Sequence, residues 1–287
     1  MLVTVFTPVY NRAHCITRLY ESLKSQTNRQ FEWLIIDDGS TDNIKHVVSQ
    51  FISENIINIR FLQQQNRGKH TAINAATNVA QGDLFYIVDS DDAITSDAIE
   101  FIITEGAKIL DNENFIGIAG CDETFDGHKL SEFSYKSVDA TPIDIRIKHG
   151  IKGDLAEVFK TDLLRKFPFP EIDDERFCPE ALVWNRIGAN GYQLRYFPKT
   201  IKLIEYLPDG LSASIVRVRA KSPVASTICY SELSDMEIPF IHKLKAAINF
   251  WRFWFCSSPN KKARIKLRWW WLSPIGLLMN INDKRKL

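Results

Sequence analysis

The sequence predicts an α/β fold, an open and mostly parallel sheet flanked by helices, followed by a helical C-terminal extension rich in basic and aromatic residues. Three observations carry this expectation. Over the first 121 residues, short β-branched or aromatic runs alternate with helical patterns, as successive βαβ units do. Carboxylates follow two of the apolar runs directly, at Asp37-Asp38 and at Asp89-Ser90-Asp91-Asp92. Charge is also divided along the chain: residues 1–240 hold 25 Lys+Arg and 34 Asp+Glu, whereas residues 241–287 hold 11 and 1, with five of the seven Trp.

Taken in order, Leu2 to Thr7 reads as a buried strand, followed by a helix with Ile16, Leu19 and Leu23 on one face. Phe31 to Ile36 is the second strand and Asp37-Asp38-Gly39-Ser40 its turn, with Ser40 or Asp42 as N-cap of a helix carrying Val47, Val48 and Phe51. Ile57 to Leu62 is a third strand. Arg67-Gly68-Lys69 opens an Ala-rich helix (Thr71 to Ala80) that Gly82 ends, and Leu84 to Val88 is a strand. A helix (Ser96 to Leu110) and a strand (Phe115 to Cys121) complete the first half. Residues 122–155 read as a strand-poor insertion. A short helix near Val158 to Lys166, a Pro-rich turn, a helix near Pro179 to Ile187 and two strands, Leu194 to Phe197 and Ile201 to Tyr206, follow. Residues 213–240 read as a linker with some helix. The expected domains are therefore 1–212, made of halves 1–121 and 122–212, and a linker with a basic, Trp-rich helical tail over 213–287.

Composition excludes other classes. With 287 residues, 45% of them hydrophobic and 25% charged, the chain is neither a disordered tail nor a disulfide-stapled mini-scaffold. Its five Cys are odd in number and form no C-x-x-C pair, so neither a disulfide framework nor a zinc site is expected, and a reducing compartment fits. The N-terminal MLVTVFTPVYNR enters an apolar strand without a signal-peptide n-region, and no apolar run approaches the roughly 20 residues that span a bilayer. No G-x-G-x-x-G follows the first strand, which removes the main support for a dinucleotide-binding fold.

The D-x-D of Asp89-Ser90-Asp91 carries the chemistry. Two carboxylates one residue apart on a turn can hold a hard divalent cation and a ribose hydroxyl while leaving coordination positions for phosphate oxygens. Alone, such a match is commonly a pair of solvated turn aspartates. Here it follows an apolar strand and accompanies a second acidic strand end, and ligands of open α/β sheets bind outside the C-terminal ends of the strands.

With these residues in hand, the chain resembles the inverting GT-A glycosyltransferases of family 2, of bacterial polysaccharide and lipopolysaccharide type. The resemblance rests on five segments in order: Thr7 to Arg12 (TPVYNR), Ile35 to Asp42 (IIDDGSTD), Asn66 to Asn74 (NRGKHTAIN), Gly82 to Asp92 (GDLFYIVDSDD) and Cys178 to Arg186 (CPEALVWNR). They cover roughly the first 212 residues and leave the basic tail outside. The resemblance implies a GT-A fold and a nucleotide-sugar pocket built from Pro8, Tyr10, Arg12, Asp38, Lys69 and Asp89, with Asp91 on Mn²⁺ or Mg²⁺; His70 is expected near it as the neighbour of Lys69. An aromatic ring can stack on a pyrimidine, and cations can neutralise phosphate. Asp92, and Asp154 in Lys152-Gly153-Asp154, are possible donor or acceptor contacts, and Asp209-Gly210-Leu211-Ser212 could close over the diphosphate.

Inversion needs one base to take the acceptor proton. The resemblance places it at the start of the helix after the acceptor-side insertion, where relatives often show an E-D pair and this chain has Pro179-Glu180-Ala181. Glu180 is the candidate, while Asp173, Asp174 and Glu175 read as an exposed acidic turn. The implied reaction moves a sugar from a nucleotide-diphosphate sugar, a UDP-sugar foremost, to a hydroxyl of a growing and lipid-linked glycan. The alternative is a catalytically inactive scaffold of a membrane glycan-assembly complex. For the tail, interleaved Lys, Arg and Trp fit an anionic membrane surface, each basic residue adding about 1 kcal/mol. Packing on the catalytic domain is the other use of its aromatic residues. No nucleic-acid motif accompanies it. The expected location is cytoplasmic, peripheral on the inner face of the cell membrane.

Overall fold

The structure, a computed structural model, describes residues 1–131, 133–205, 214–258 and 263–286. They fall into two compact units, Met1–Pro168 with Asn190–Glu205, and Phe169–Ala189 with Tyr206–Leu287. The segment Phe169–Ala189 thus clusters with the C-terminal residues, whereas the sequence-based boundary lies at residue 212.

The first unit runs β1 (Val3–Val9), α1 (Ile16–Lys24), β2 (Phe31–Asp37), α2 (Ile44–Glu54), β3 (Ile59–Gln63), α3 (Lys69–Val79), β4 (Leu84–Ile87), β5 (Ala93–Ile94), α4 (Ala98–Ala107), β6 (Phe115–Thr124), β7 (Val138–Ala140), α5 (Asp144–Ile147), β8 (Leu155–Lys160), α6 (Thr161–Leu164) and β9 (Gln193–Ile204). The strands form one sheet in the order β3-β2-β1-β4-β8-β6-β9-β5, with β7 paired to β9. β1 and β2 are buried along nearly their whole length, as parallel strands covered on both faces must be. β2, β1 and β4 lie parallel, with Val9 opposite Asp37 and Phe6 opposite Ile87, so their C-terminal ends open on one edge. The Tyr20, Trp33 and Phe51 rings stack beneath α1 and α2, Tyr20 lying 4.0 Å from Phe51 and 6.0 Å from Trp33, and the Trp33 indole donates to Thr7 Oγ1 at 2.9 Å. Sequence alternation and structure agree closely over this half.

Later segments depart from expectation. Val158–Lys160 is not helix but the end of strand β8, which pairs antiparallel with both β4 and β6; only α6 is helical. A short apolar run looks alike as helix or buried strand, and the two-sided ladder decides here. The two strands expected at 194–197 and 201–206 are one strand, β9. Its pairing with β6 shifts register between Tyr196 and Thr200, a bulge that accommodates Pro198 where the ladder is already broken. The expected end at Tyr206 lies outside the described residues.

The second unit contains α7 (Glu180–Ala189), α8 (Ile215–Lys221), α9 (Pro223–Asp235), α10 (Phe240–Trp254), a 3₁₀ segment (Leu267–Leu272) and α11 (Ser273–Lys286). The expected linker is thus largely α8 and α9, with Pro223 at the first turn of α9, where its missing N–H costs nothing. Ala247, Phe250, Trp251, Trp269 and Leu272 form this unit's buried aromatic cluster. No helix among the described residues is long and apolar enough to cross a membrane.

β6 and β8 approach so closely that a Cβ on Gly117 would fall 2.0 Å from the Val158 carbonyl oxygen. Gly117→Ala is expected to cost about 1–3 kcal/mol of stability in a urea titration, the usual cost of overpacking.

Candidate active site

The loops after β1 and β2 are sewn together. Asn11, in the left-handed region at φ 53°, donates its N–H to Ser40 Oγ at 2.8 Å and accepts the Thr41 N–H on Oδ1 at 2.8 Å. Ala13 N–H donates to Asp42 Oδ2 at 2.9 Å. Ser40 and Asp42 therefore tie loops, and Asn43 occupies the N-cap position of α2, although Asp42 Oδ1 also accepts from Ile44 N at 3.2 Å. This frame carries Pro8, half-buried in β1, Tyr10, 47% exposed, and Arg12, half-buried.

Asp38 is buried and its carboxylate accepts three hydrogen bonds: from Gln64 Nε2 at 2.7 Å, Arg67 N at 2.9 Å and Gly68 N at 2.7 Å. It thereby fixes the segment entering α3, whose first residue is Lys69. Gly39, at φ +77°, lies where a Cβ would meet Asn66 N at 2.8 Å, so the turn after Asp38 requires glycine on both counts. His70, next to Lys69, is buried.

Lys69 Nζ sits 2.7 Å from Asp89 Oδ1 and 2.8 Å from Oδ2. Desolvation opposes ionisation of Asp89, and the Lys69 ammonium outweighs it, holding the carboxyl below the ordinary range. Two residues on, Asp91 is shifted the other way, by burial and then by the Asp89 charge, with Arg12 partly offsetting. The Asp89–Asp91 turn thus pairs an ionised, neutralised carboxylate with one short of positive charge. Asp92, 6% exposed, is pushed up to about 8 by burial, partly relieved by Lys202 and then reinforced by Asp89 and Asp91.

Three further participants carry no sequence signature. Lys202 on β9, half-buried, faces these acids and pairs with Asp122 Oδ2 at 3.1 Å; desolvation disfavours its charge, but the neighbouring carboxylates, Asp122 foremost, more than compensate and hold the ammonium on. Asp122, 1% exposed at the end of β6, is raised by burial against the pull of Lys202, with Asp154 adding to the rise. Arg18 on α1 donates to the Asp91 carbonyl oxygen at 2.7 Å, pairs with Glu205 at 2.7 Å and lies over the Phe125 ring at 4.3 Å. Lys202 sits in an Ile-Lys-Leu-Ile run that reads as ordinary strand, and Arg18 on a helix that reads as amphipathic. Asp154 is exposed, and its backbone oxygen accepts from Ser131 Oγ at 3.0 Å.

In the second unit Glu180 opens α7, half-buried in the first turn. Asp173 and Asp174 are exposed, as expected, but Glu175 is buried, accepting Val224 N at 2.7 Å and Ala225 N at 2.8 Å. It caps the N-terminus of α9, where a carboxylate meets both orphan N–H groups and the positive end of the helix dipole. Both its oxygens are engaged in holding the fold. The loop Asp209-Gly210-Leu211-Ser212 lies outside the described residues.

Among the described residues no three His, Cys, Asp or Glu side chains converge into a closed metal cage. The donor set around the turn instead fits a hard cation held by one or two carboxylates, with its other positions left for phosphate and water, as Mg²⁺ and Mn²⁺ favour.

Residues 4–130 match the Glycosyl transferase family 2 profile. An uncharacterized glycosyltransferase of Rickettsia felis is 39% identical over 200 residues, 70% of this chain and 28% of that protein. Chondroitin synthase of Escherichia coli is 38% identical over 111 residues, 38% of this chain and 16% of that protein. The chain therefore spans less than a third of the length of either relative. Among solved structures, S. aureus TarS 1–349 in complex with UDP-GlcNAc superposes with a TM-score of 0.63 at 21% identity, covering 96% of this chain and 80% of that one. The mannosyltransferase PcManGT from Pyrobaculum calidifontis, in complex with GDP-Man and Mn²⁺, superposes with a TM-score of 0.58 at 19% identity, covering 99% and 75%. The profile match and the named relatives make this chain similar to glycosyltransferases; the structural likeness speaks for the fold, which is GT-A-like.

Two expectations follow from the geometry. The folded state holds a proton on Asp92 up to about pH 8, whereas the unfolded chain releases it near pH 4, so this group's contribution to stability is full at low pH and lost as pH rises through that window. Asp92→Asn should gain about 1 kcal/mol or more over wild type between about pH 5 and 8, read from denaturant midpoints. Glu175→Gln should cost roughly 1–3 kcal/mol by the same measurement through loss of the charged cap.

Proposed function

We propose, for this chain whose residues 4–130 match the Glycosyl transferase family 2 profile, a metal-dependent, inverting transfer of a sugar from a UDP-sugar to a hydroxyl of a growing, lipid-linked glycan. The observation that carries the reading is the Lys69–Asp89 pair beside Asp91, set at the edge where β1, β2 and β4 end. A diphosphate bound there meets the Lys69 and Arg12 cations, and the exposed Tyr10 ring offers a face for the base. Asp38 supports the donor site by holding the Gln64–Gly68 segment; three of the roughly four lone-pair positions of its carboxylate are used, leaving one for a base N–H or a ribose hydroxyl. Mn²⁺ or Mg²⁺, held by Asp91 with Asp89, would supply charge neutralisation as the diphosphate leaves.

In this reading Glu180 takes the acceptor hydroxyl proton. The acceptor oxygen attacks the anomeric carbon from the face opposite the nucleotide, and the bond to the diphosphate oxygen breaks with its electron pair leaving on UDP. One base suffices, so Glu180 serves without the second acid of the E-D pair. Asp92 and Asp154 are assigned to sugar contacts. Residues 241–287, with Leu267 78%, Trp270 54% and Trp271 62% exposed amid an excess of cations, bind an anionic membrane surface. Activity is accordingly assigned to the inner face of the cell membrane.

The test is turnover of UDP-sugars with purified protein, following UDP release with and without acceptor and Mn²⁺. Asp91→Ala should abolish metal-dependent release. Glu180→Gln should lower transfer about 10²- to 10⁴-fold while leaving UDP affinity unchanged. NMR of the product should show the anomer opposite to the donor's; a retained anomer contradicts the inverting assignment, and absence of any turnover favours the scaffold.

A further inference from the structure

The second unit contains a hollow of about 640 Å³ between α10 and the chain segment that precedes α11, walled by the rings of Phe250, Trp251, Trp254, Phe255 and Trp270, with Arg264 at its side. Its rings meet mostly edge to face, Trp251 against Trp254 at 5.1 Å and 66°, and against Trp270 at 5.9 Å and 85°. Such packing leaves a concavity that flat stacking would close. The indole N–H of Trp251 donates to the Trp269 carbonyl oxygen at 2.9 Å and that of Trp254 to the Ala263 carbonyl oxygen at 3.2 Å. These polar handles are spent on the wall itself. A sugar ring would find few partners here, whereas a hydrocarbon chain asks for none. The volume lies within the range of small-ligand sites and far above that of one water.

Charge completes the picture. Of the three cations at 264, 266 and 268, Lys266 and Arg268 each pair with Asp235 at 3.1 Å, while Arg264 has no carboxylate partner among the described residues. A guanidinium with no carboxylate partner among the described residues, on the wall of an apolar hollow, complements a ligand that is a hydrocarbon at one end and a phosphate at the other. Leu267 and Trp270, which line the same hollow, are largely exposed, so the site is open to chains arriving from a lipid surface.

We propose that this hollow takes the hydrocarbon chain of a lipid phosphate, with Arg264 receiving the phosphate. The proposal rests on the reading that the acceptor is lipid-linked, and it assigns this site to the acceptor's carrier.

The experiment is calorimetric titration of the 287-residue chain with farnesyl phosphate, beside inorganic phosphate and farnesol, with sedimentation on phosphatidylglycerol vesicles as a separate arm. Saturable binding of farnesyl phosphate, none of inorganic phosphate, and weaker binding of farnesol are expected. Ala263→Trp, which adds bulk at a lining position and keeps the aromatic wall, should weaken farnesyl phosphate about 10-fold or more while vesicle binding is unchanged. Arg264→Gln should weaken farnesyl phosphate but not farnesol, and it keeps the question answerable if Ala263→Trp melts differently from wild type. No saturable binding of farnesyl phosphate, or equal affinity in an Ala263→Trp protein that melts like wild type, overturns the proposal. Vesicle binding without farnesyl phosphate binding overturns the hollow and leaves the surface reading standing. Farnesyl phosphate binding without vesicle binding does the reverse.

Discussion

The site hangs on the Asp38 carboxylate. By accepting the N–H groups of Arg67 and Gly68 and the Gln64 amide, it fixes the backbone one residue before Lys69, and Lys69 in turn grips Asp89. Two strand ends are thereby connected through a helix start that belongs to neither. The parallel register of β1 with β2 and β4 makes this possible, because it delivers Asp38 and Asp89 to one edge of the sheet. Charge-assisted bonds to backbone are among the stronger hydrogen bonds a protein makes, so the arrangement is rigid where a diphosphate would need it to be. A carboxylate that organises a loop and a carboxylate that touches a nucleotide are compatible roles here, since one lone-pair position remains open.

Beneath this edge lies a second charge system, Lys202 with Asp122 and Asp92. A half-buried ammonium facing two buried acids is costly to desolvate, and such groups are kept by pairing. Along the neighbouring turn the carboxyls differ: Lys69 holds Asp89 low against burial, burial and the Asp89 charge raise Asp91, and burial pushes Asp92 up to about 8. Adjacent carboxylates with different environments can take different tasks, one pairing with a cation and another holding a proton toward a sugar hydroxyl.

The first 121 residues were legible because the central strands β1, β2 and β4 are buried along nearly their whole length and α1 and α2 bury one apolar face, so local pattern and tertiary role coincide. Legibility fell where a segment's partners are distant in sequence. Val158 and Phe159 look the same as helix or strand until β4 and β6 close on them. Pro198 reads as a break until the bulge against β6 absorbs it. Glu175 reads as surface until α9 presents its N-terminus 49 residues later. In the site, the acids that follow strands stand out, but Lys202, Asp122 and Arg18 do not, because a single charged residue in a strand or on a helix carries no mark of what it will face. The basic tail was legible as composition, while the concavity among its tryptophans depends on ring angles that no pattern encodes.

In the proposed function the Lys69–Asp89 pair marks a diphosphate site. Calorimetric titration of UDP and of uridine into wild type and Lys69→Met, each with and without Mn²⁺, is the direct test. UDP is expected to bind wild type more tightly than uridine does, Mn²⁺ to strengthen UDP alone, and Lys69→Met to remove most of the advantage of UDP over uridine. Equal affinity for UDP and uridine in wild type, or a Lys69→Met protein that keeps the full advantage, would contradict it.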